Sequence, residues 1–186
     1  MRSTIARTAA IALSAAALTV GSAGTASAEI YGIDDPNDTD HGSDVRALNV
    51  RNGHANLHVV TTHENLRRNP ATGSGGAVFI DTDRSDRGPE YVFVGGYTRG
   101  TDYVLAETEG FSAEKWGDPV EHGDYIMKVR YAKDRVRLTM SRHAIGDATD
   151  VRVAARVSGS RSDGTSDGLV DWVSQRRAFT PWIAQG

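Results

Sequence analysis

Apolar and polar residues alternate at period two through most of the chain after residue 44, which predicts strands rather than helices. The plainest case flanks Asn52-Gly53, a favoured dipeptide for a two-residue hairpin turn. Folding there pairs Val50 with Ala55, Leu48 with Leu57 and Arg46 with Val59, giving one mostly apolar and one mostly polar face. A second hairpin is expected to turn at Lys133-Asp134, pairing Tyr131 with Val136, Val129 with Leu138 and Met127 with Met140. Its other face sets Arg130 opposite Arg137. Further strands are read at Ala77–Ile80, Glu90–Thr98, Asp102–Thr108, Val151–Val157 and Leu169–Val173. Polar loops separate them, notably 64–76, 111–124 and 158–168.

About eight strands at this spacing, with turn signals between and no long helix, predict an all-β fold. The expected form is an antiparallel β-sandwich of jelly-roll-like type, with a closed barrel as the alternative. Residues 1–28 read as a secretory signal peptide. Arg2 and Arg7 precede an apolar run from Ala9 to Val20, and Ala26-Ser27-Ala28 is an A-x-A cleavage site. That run is too short for a membrane span. Residues 29–44 read as an acidic, solvated leader, in which Asp38-Thr39-Asp40 could lend oxygens to a cation site. Residues 45–186 form the sandwich domain. A secreted, extracellular monomer is therefore expected.

Charge narrows the function classes. The formal net charge is −3, and losing Arg2 and Arg7 takes it to −5, which argues against wholesale nucleic-acid binding. The chain has no cysteine, so disulfides, cysteine nucleophiles and cysteine–zinc sites are excluded.

Three constellations could carry chemistry. Asp81, Asp83 and Asp86 crowd the end of a strand, with Glu90 opening the next. Calcium, which takes about 6–8 oxygens, would offset them, and so would arginines such as Arg84 or Arg87. Lys128, Arg130, Arg135, Arg137, Arg152 and Arg156 are expected on one side of a three-strand arrangement, a face for an anionic polymer or simply a solvated one. Trp116, Tyr97 and Tyr103 could stack on sugar rings if exposed, whereas Trp172 and Trp182 read as core. Catalytic signals are thin. Gly164-Thr165-Ser166-Asp167-Gly168 matches G-x-S-x-G but no helix follows it, and His54, His58, His63 and His143 show no metal-ligand spacing.

The order DVRALNVRNGHANLHVVTTHENL, AVFIDTDRSDRGPEYVF, LTMSRHAIGDATDVRVAARV and a DW…FTPW ending resembles exported actinobacterial β-sandwich proteins of unassigned function. More distantly it is similar to family 9 carbohydrate-binding modules and DOMON-like sandwiches. That likeness implies a sandwich, calcium at Asp81 and Asp83, and binding of a sugar or other small ligand. The haem ligands of some DOMON domains have no counterpart here. The leading expectation is a non-catalytic module that binds an extracellular carbohydrate or anionic envelope polymer. Its alternatives are a hydrolase assembled from separated acids and histidines, and a protein-interaction or inhibitor domain using loop 64–76.

Overall fold

The computed structural model describes residues 28–160 and 169–186. The signal-peptide reading and the G-x-S-x-G match lie outside them. Twelve strands are present among these residues: β1 (Glu29–Asp34), β2 (Val45–Asn52), β3 (Asn56–His63), β4 (Gly75–Asp81), β5 (Tyr91–Gly96), β6 (Tyr103–Thr108), β7 (Trp116–Pro119), β8 (Tyr125–Arg130), β9 (Arg135–Ser141), β10 (Asp150–Gly159), β11 (Leu169–Trp172) and β12 (Ile183–Ala184). Short 3-10 turns are the only helical elements among the described residues.

The strands form an antiparallel β-sandwich. One sheet runs β1-β2-β3-β9-β8; the other runs β11-β10-β4-β5-β6-β7, with β12 on β10. The chain crosses between sheets after β3, β7 and β9. Between the sheets lie inward side chains of both, including Leu48, Val50, Leu57, Val59, Ile80, Phe93, Leu105, Leu138, Met140, Val151 and Val153, all at most 3% exposed. These are the positions that the alternation marked as apolar.

Both hairpin registers differ from the simple expectation by an even number of residues, so the faces are kept. Val50 pairs with Val59 and Leu48 with Thr61, around a longer turn closed by Gly53 N–H donating to Asn56 O at 3.1 Å. Asn52 is not free to be a turn residue. Its amide donates to Ile183 O at 2.8 Å and Thr149 O at 3.2 Å, and it accepts from Arg142. In the second hairpin Met127 pairs with Leu138 and Val129 with Val136. Asp134, in the left-handed region at φ 49°, accepts Leu66 N–H on its side chain at 2.8 Å and His63 N–H on its carbonyl at 2.8 Å. The direct cross-strand pairs of like charge are therefore Lys128 with Arg137 and Arg130 with Arg135, rather than Arg130 with Arg137.

Residues 29–44 are not a solvated leader. β1 pairs with β2, and the loop after it buries Asp35, His41, Ser43 and Asp44 at the edge between the sheets. β4 has apolar neighbours on both faces. Val78 and Ile80 point into the main core, while Ala77 and Phe79 join a second cluster with Val92, Ala106 and Ala154 on the outside of that sheet. A strand buried on both faces reads as a continuous apolar run, which explains Ala77–Ile80.

Candidate functional site

The second cluster is roofed by chain that the strand pattern leaves over. Phe111 arrives from the β6–β7 connection, Trp116 from the start of β7, Trp172 from β11 and Phe179 from the tail. Phe79 sits under them, stacked on Trp172 at 5.8 Å and edge-on to Phe111 at 4.8 Å. Alternation on β10 sends Arg152, Ala154 and Arg156 to this side, opposite Asp81, Phe79 and Ala77 of β4. Arginines then lie over aromatic rings along the face. Arg84 and Arg152 approach Trp182 at 4.6 and 4.9 Å, Arg152 approaches Phe179 at 4.6 Å, Arg177 approaches Phe111 at 5.8 Å and Arg156 approaches Trp172 at 6.0 Å.

These arginines divide by charge balance. Arg152 donates to Asp81 through Nε at 2.7 Å, and Arg84 pairs with Asp150 at 3.1 Å. Arg156, Arg176 and Arg177 have no carboxylate partner among the described residues. All three line one hollow of about 470 Å³, together with Phe111, Trp172 and Val170. Arg156 is half-buried there, and desolvation pulls its pKa below the usual arginine value. The site thus offers guanidinium donors that no described carboxylate neutralises, beside aromatic rings, a combination that suits an anionic ligand carrying a flat or ring-shaped apolar face.

The residues singled out from sequence fall in several places. Asp81 is fully buried and faces Arg152; burial raises its pKa, and the hydrogen bond from Arg152 opposes that shift. Asp83 is exposed and accepts from the backbone and hydroxyl of Ser85 at 2.8 and 2.7 Å, which lowers its pKa. Asp86 accepts Arg87 N–H at 2.6 Å, and Glu90 accepts from the backbone and hydroxyl of Thr82 at 2.5 and 3.1 Å. Trp116 is half-buried in the aromatic roof. Tyr97 is 2% exposed, with its ring edge-on to His63 at 5.3 Å, so it presents no face to a ligand. Tyr103 is 38% exposed and stacks on Phe93 at 5.7 Å, away from the roof. Arg130 and Arg137 are exposed with Lys128 and Arg135 on the outside of the other sheet. The basic face expected from sequence is therefore split, because β10 belongs to the opposite sheet: Arg152 and Arg156 leave on the far side of the molecule.

A separate group of acids sits at the sheet edge. Single carboxylate oxygens of Asp35, Asp38 and Asp171 lie within 4.8 Å of one another. Asp171, on the inward side of β11, has its pKa pushed up to about 6 by burial, with Asp35, Asp44 and Asp38 adding to the shift. Burial likewise raises that of Asp35. Alternation carried a signal for Asp171, since the inward residues of 169–173 are Leu169, Asp171 and Val173, with the acid between two apolar positions. Arg176 and Arg177 sit in the irregular stretch after β11, where the strand pattern had ended.

No helix among the described residues is long and apolar enough to cross a membrane. Comparison with family models and with curated proteins finds no match.

Proposed function

We propose that this chain is a secreted, non-catalytic binding module whose ligand is an acidic glycan or similar anionic envelope polymer, held in the hollow around Arg156. The observation that carries the reading is Arg156 itself. A half-buried guanidinium with no carboxylate partner among the described residues is unfavourable in the free protein, and Arg176 and Arg177 beside it add to the positive potential rather than cancel it. An anionic group entering there would gain charge-assisted hydrogen bonds, each worth about 1.5–3 kcal/mol. Trp172 and Phe111 supply the apolar lining that a sugar ring needs. The signal-like pattern of residues 1–28 supports export to where these polymers are found.

Isothermal titration with an oligogalacturonide and with a neutral oligosaccharide of equal length tests this. Binding is expected for the acidic chain only. Arg156→Gln should weaken it roughly 10–100-fold, as loss of one charged hydrogen bond predicts. Arg130→Gln/Arg137→Gln, on the opposite face, should leave it unchanged. Equal response to both sugars, or an effect of the second variant as large as the first, contradicts the proposal.

A further inference from the structure

We propose that Asp35, Asp38 and Asp171 form a binding site for a divalent cation of the calcium type, which fastens the segment after β1 to β11 across the edge of the sandwich. Two ligands on opposite sides of a calcium ion are about 4.8 Å apart, twice a metal–oxygen distance near 2.4 Å. The three aspartates meet that limit mutually. All three offer oxygen, and neither histidine nor cysteine joins the group, so a hard cation is the matching chemistry.

The hydrogen bonds of these carboxylates show that the group is built rather than incidental. Asp35 Oδ1 accepts Ser174 N–H at 2.6 Å, and Asp171 Oδ2 accepts Val45 N–H at 2.7 Å. Asp44 Oδ1, behind them, accepts from Thr39 N–H at 3.0 Å, Thr39 Oγ1 at 2.6 Å and Asp38 N–H at 3.3 Å, which holds the loop carrying Asp38. After these bonds, Asp35 Oδ2 is sealed from solvent with no donor among the described residues, on a residue only 6% exposed, and Asp44 Oδ2 is in the same condition. Among the described residues, Arg46 reaches Asp44 only at 3.8 Å, and that arginine is shared with Glu64 at 3.6 Å. Buried carboxylates without donors are costly, and a cation removes the cost at a stroke. The segments joined are far apart in sequence and belong to different sheets, so the ion would act as a cross-link. This inference stands independently of the glycan hollow.

The test uses the chain as purified, stripped with EDTA and then titrated calorimetrically with calcium chloride. One saturable site is expected, with a dissociation constant of about 10⁻⁴ M, typical of extracellular modules. At a few millimolar calcium the melting temperature should rise by roughly 5 °C over the EDTA value. Asp38→Asn is the variant of choice, because Asp38 is exposed and only its backbone N–H, not its side chain, makes a hydrogen bond among the described residues. It should cut calcium affinity at least 10-fold while the EDTA melting temperature stays or rises. Asp83→Asn/Asp86→Asn should bind as the parent does. No heat and an unchanged midpoint at 5 mM calcium overturn the proposal. So does calcium binding that survives Asp38→Asn and is lost in Asp83→Asn/Asp86→Asn.

Discussion

Replacing Arg152 with methionine gives the sharpest account of what holds the strand-end acid. Asp81 has no solvent exposure, its Oδ2 accepts from Arg152, and its Oδ1 is enclosed with no donor among the described residues. Methionine keeps most of the apolar contact with Phe179 and Trp182 but removes the charge. Attraction between unit charges about 4 Å apart is ~4 kcal/mol at an effective dielectric of 20. Breaking one side of a buried pair costs about 3–5 kcal/mol. A loss of about 4 kcal/mol at pH 7 is expected from urea unfolding. The deficit has a predictable pH dependence. Without Arg152 the native carboxyl holds its proton to higher pH than the unfolded one. Between the unfolded value of about 3.9 and the raised native value, the folded state therefore binds more protons, and the deficit shrinks as pH falls. Adding Asp81→Asn to Arg152→Met should recover most of the loss at pH 7. A deficit below about 1 kcal/mol that ignores pH would show that something other than Arg152, such as a cation, compensates Asp81.

Other outcomes follow from the core. His63 is buried, with Nδ1–H donating to Ser43 O at 2.8 Å and Nε2 facing Thr61 Oγ1 at 2.7 Å, and burial pushes its pKa down to about 4. The unfolded chain takes up that proton near pH 6.5, so stability is full above 6.5 and falls as pH drops toward 4. The loss is about 3 kcal/mol by denaturant titration, and His63→Gln should flatten this slope. Gly76→Ala would place a Cβ 2.1 Å from the Tyr97 hydroxyl and 3.0 Å from Arg156 O. A loss of roughly 2–3 kcal/mol is expected, eased by Tyr97→Phe, and an unchanged midpoint would show that this packing is looser than described. Trp172→Ala should lower both stability and acidic-glycan affinity, since the ring lies on Phe79 and lines the hollow.

The sandwich was legible because one physical rule governs it. Residues two apart share a side, and the inward residues of β2, β3, β8, β9 and β10 are those the alternation chose. Registers were less legible because Asn52 and Asp134 serve distant chain instead of their own turns. β1, β7 and β12 were missed. β1 brings only Tyr31 and Ile33 to the core, with Ile30 exposed between polar residues, and the other two are four and two residues long, so none carries an apolar period of useful length. The candidate sites were legible only in part. Asp38 was singled out, yet its partners Asp35 and Asp171 meet only after the chain has crossed between sheets. Arg152 and Arg156 do face away from Val151, Val153, Ala155 and Val157, as alternation requires, but that side is an aromatic cluster rather than a polar face, and strand order, on which alternation carries no information, decides which other basic residues share it.

All three tryptophans, Trp116, Trp172 and Trp182, pack on the outer side of the sheet that carries β10, so indole emission reports directly on that face. Titrating an oligogalacturonide at low ionic strength should change that emission saturably, with the midpoint moving to higher ligand concentration as salt is added. Emission that stays flat through millimolar ligand, or that responds equally to a neutral sugar, would contradict an anion-binding hollow around Arg156.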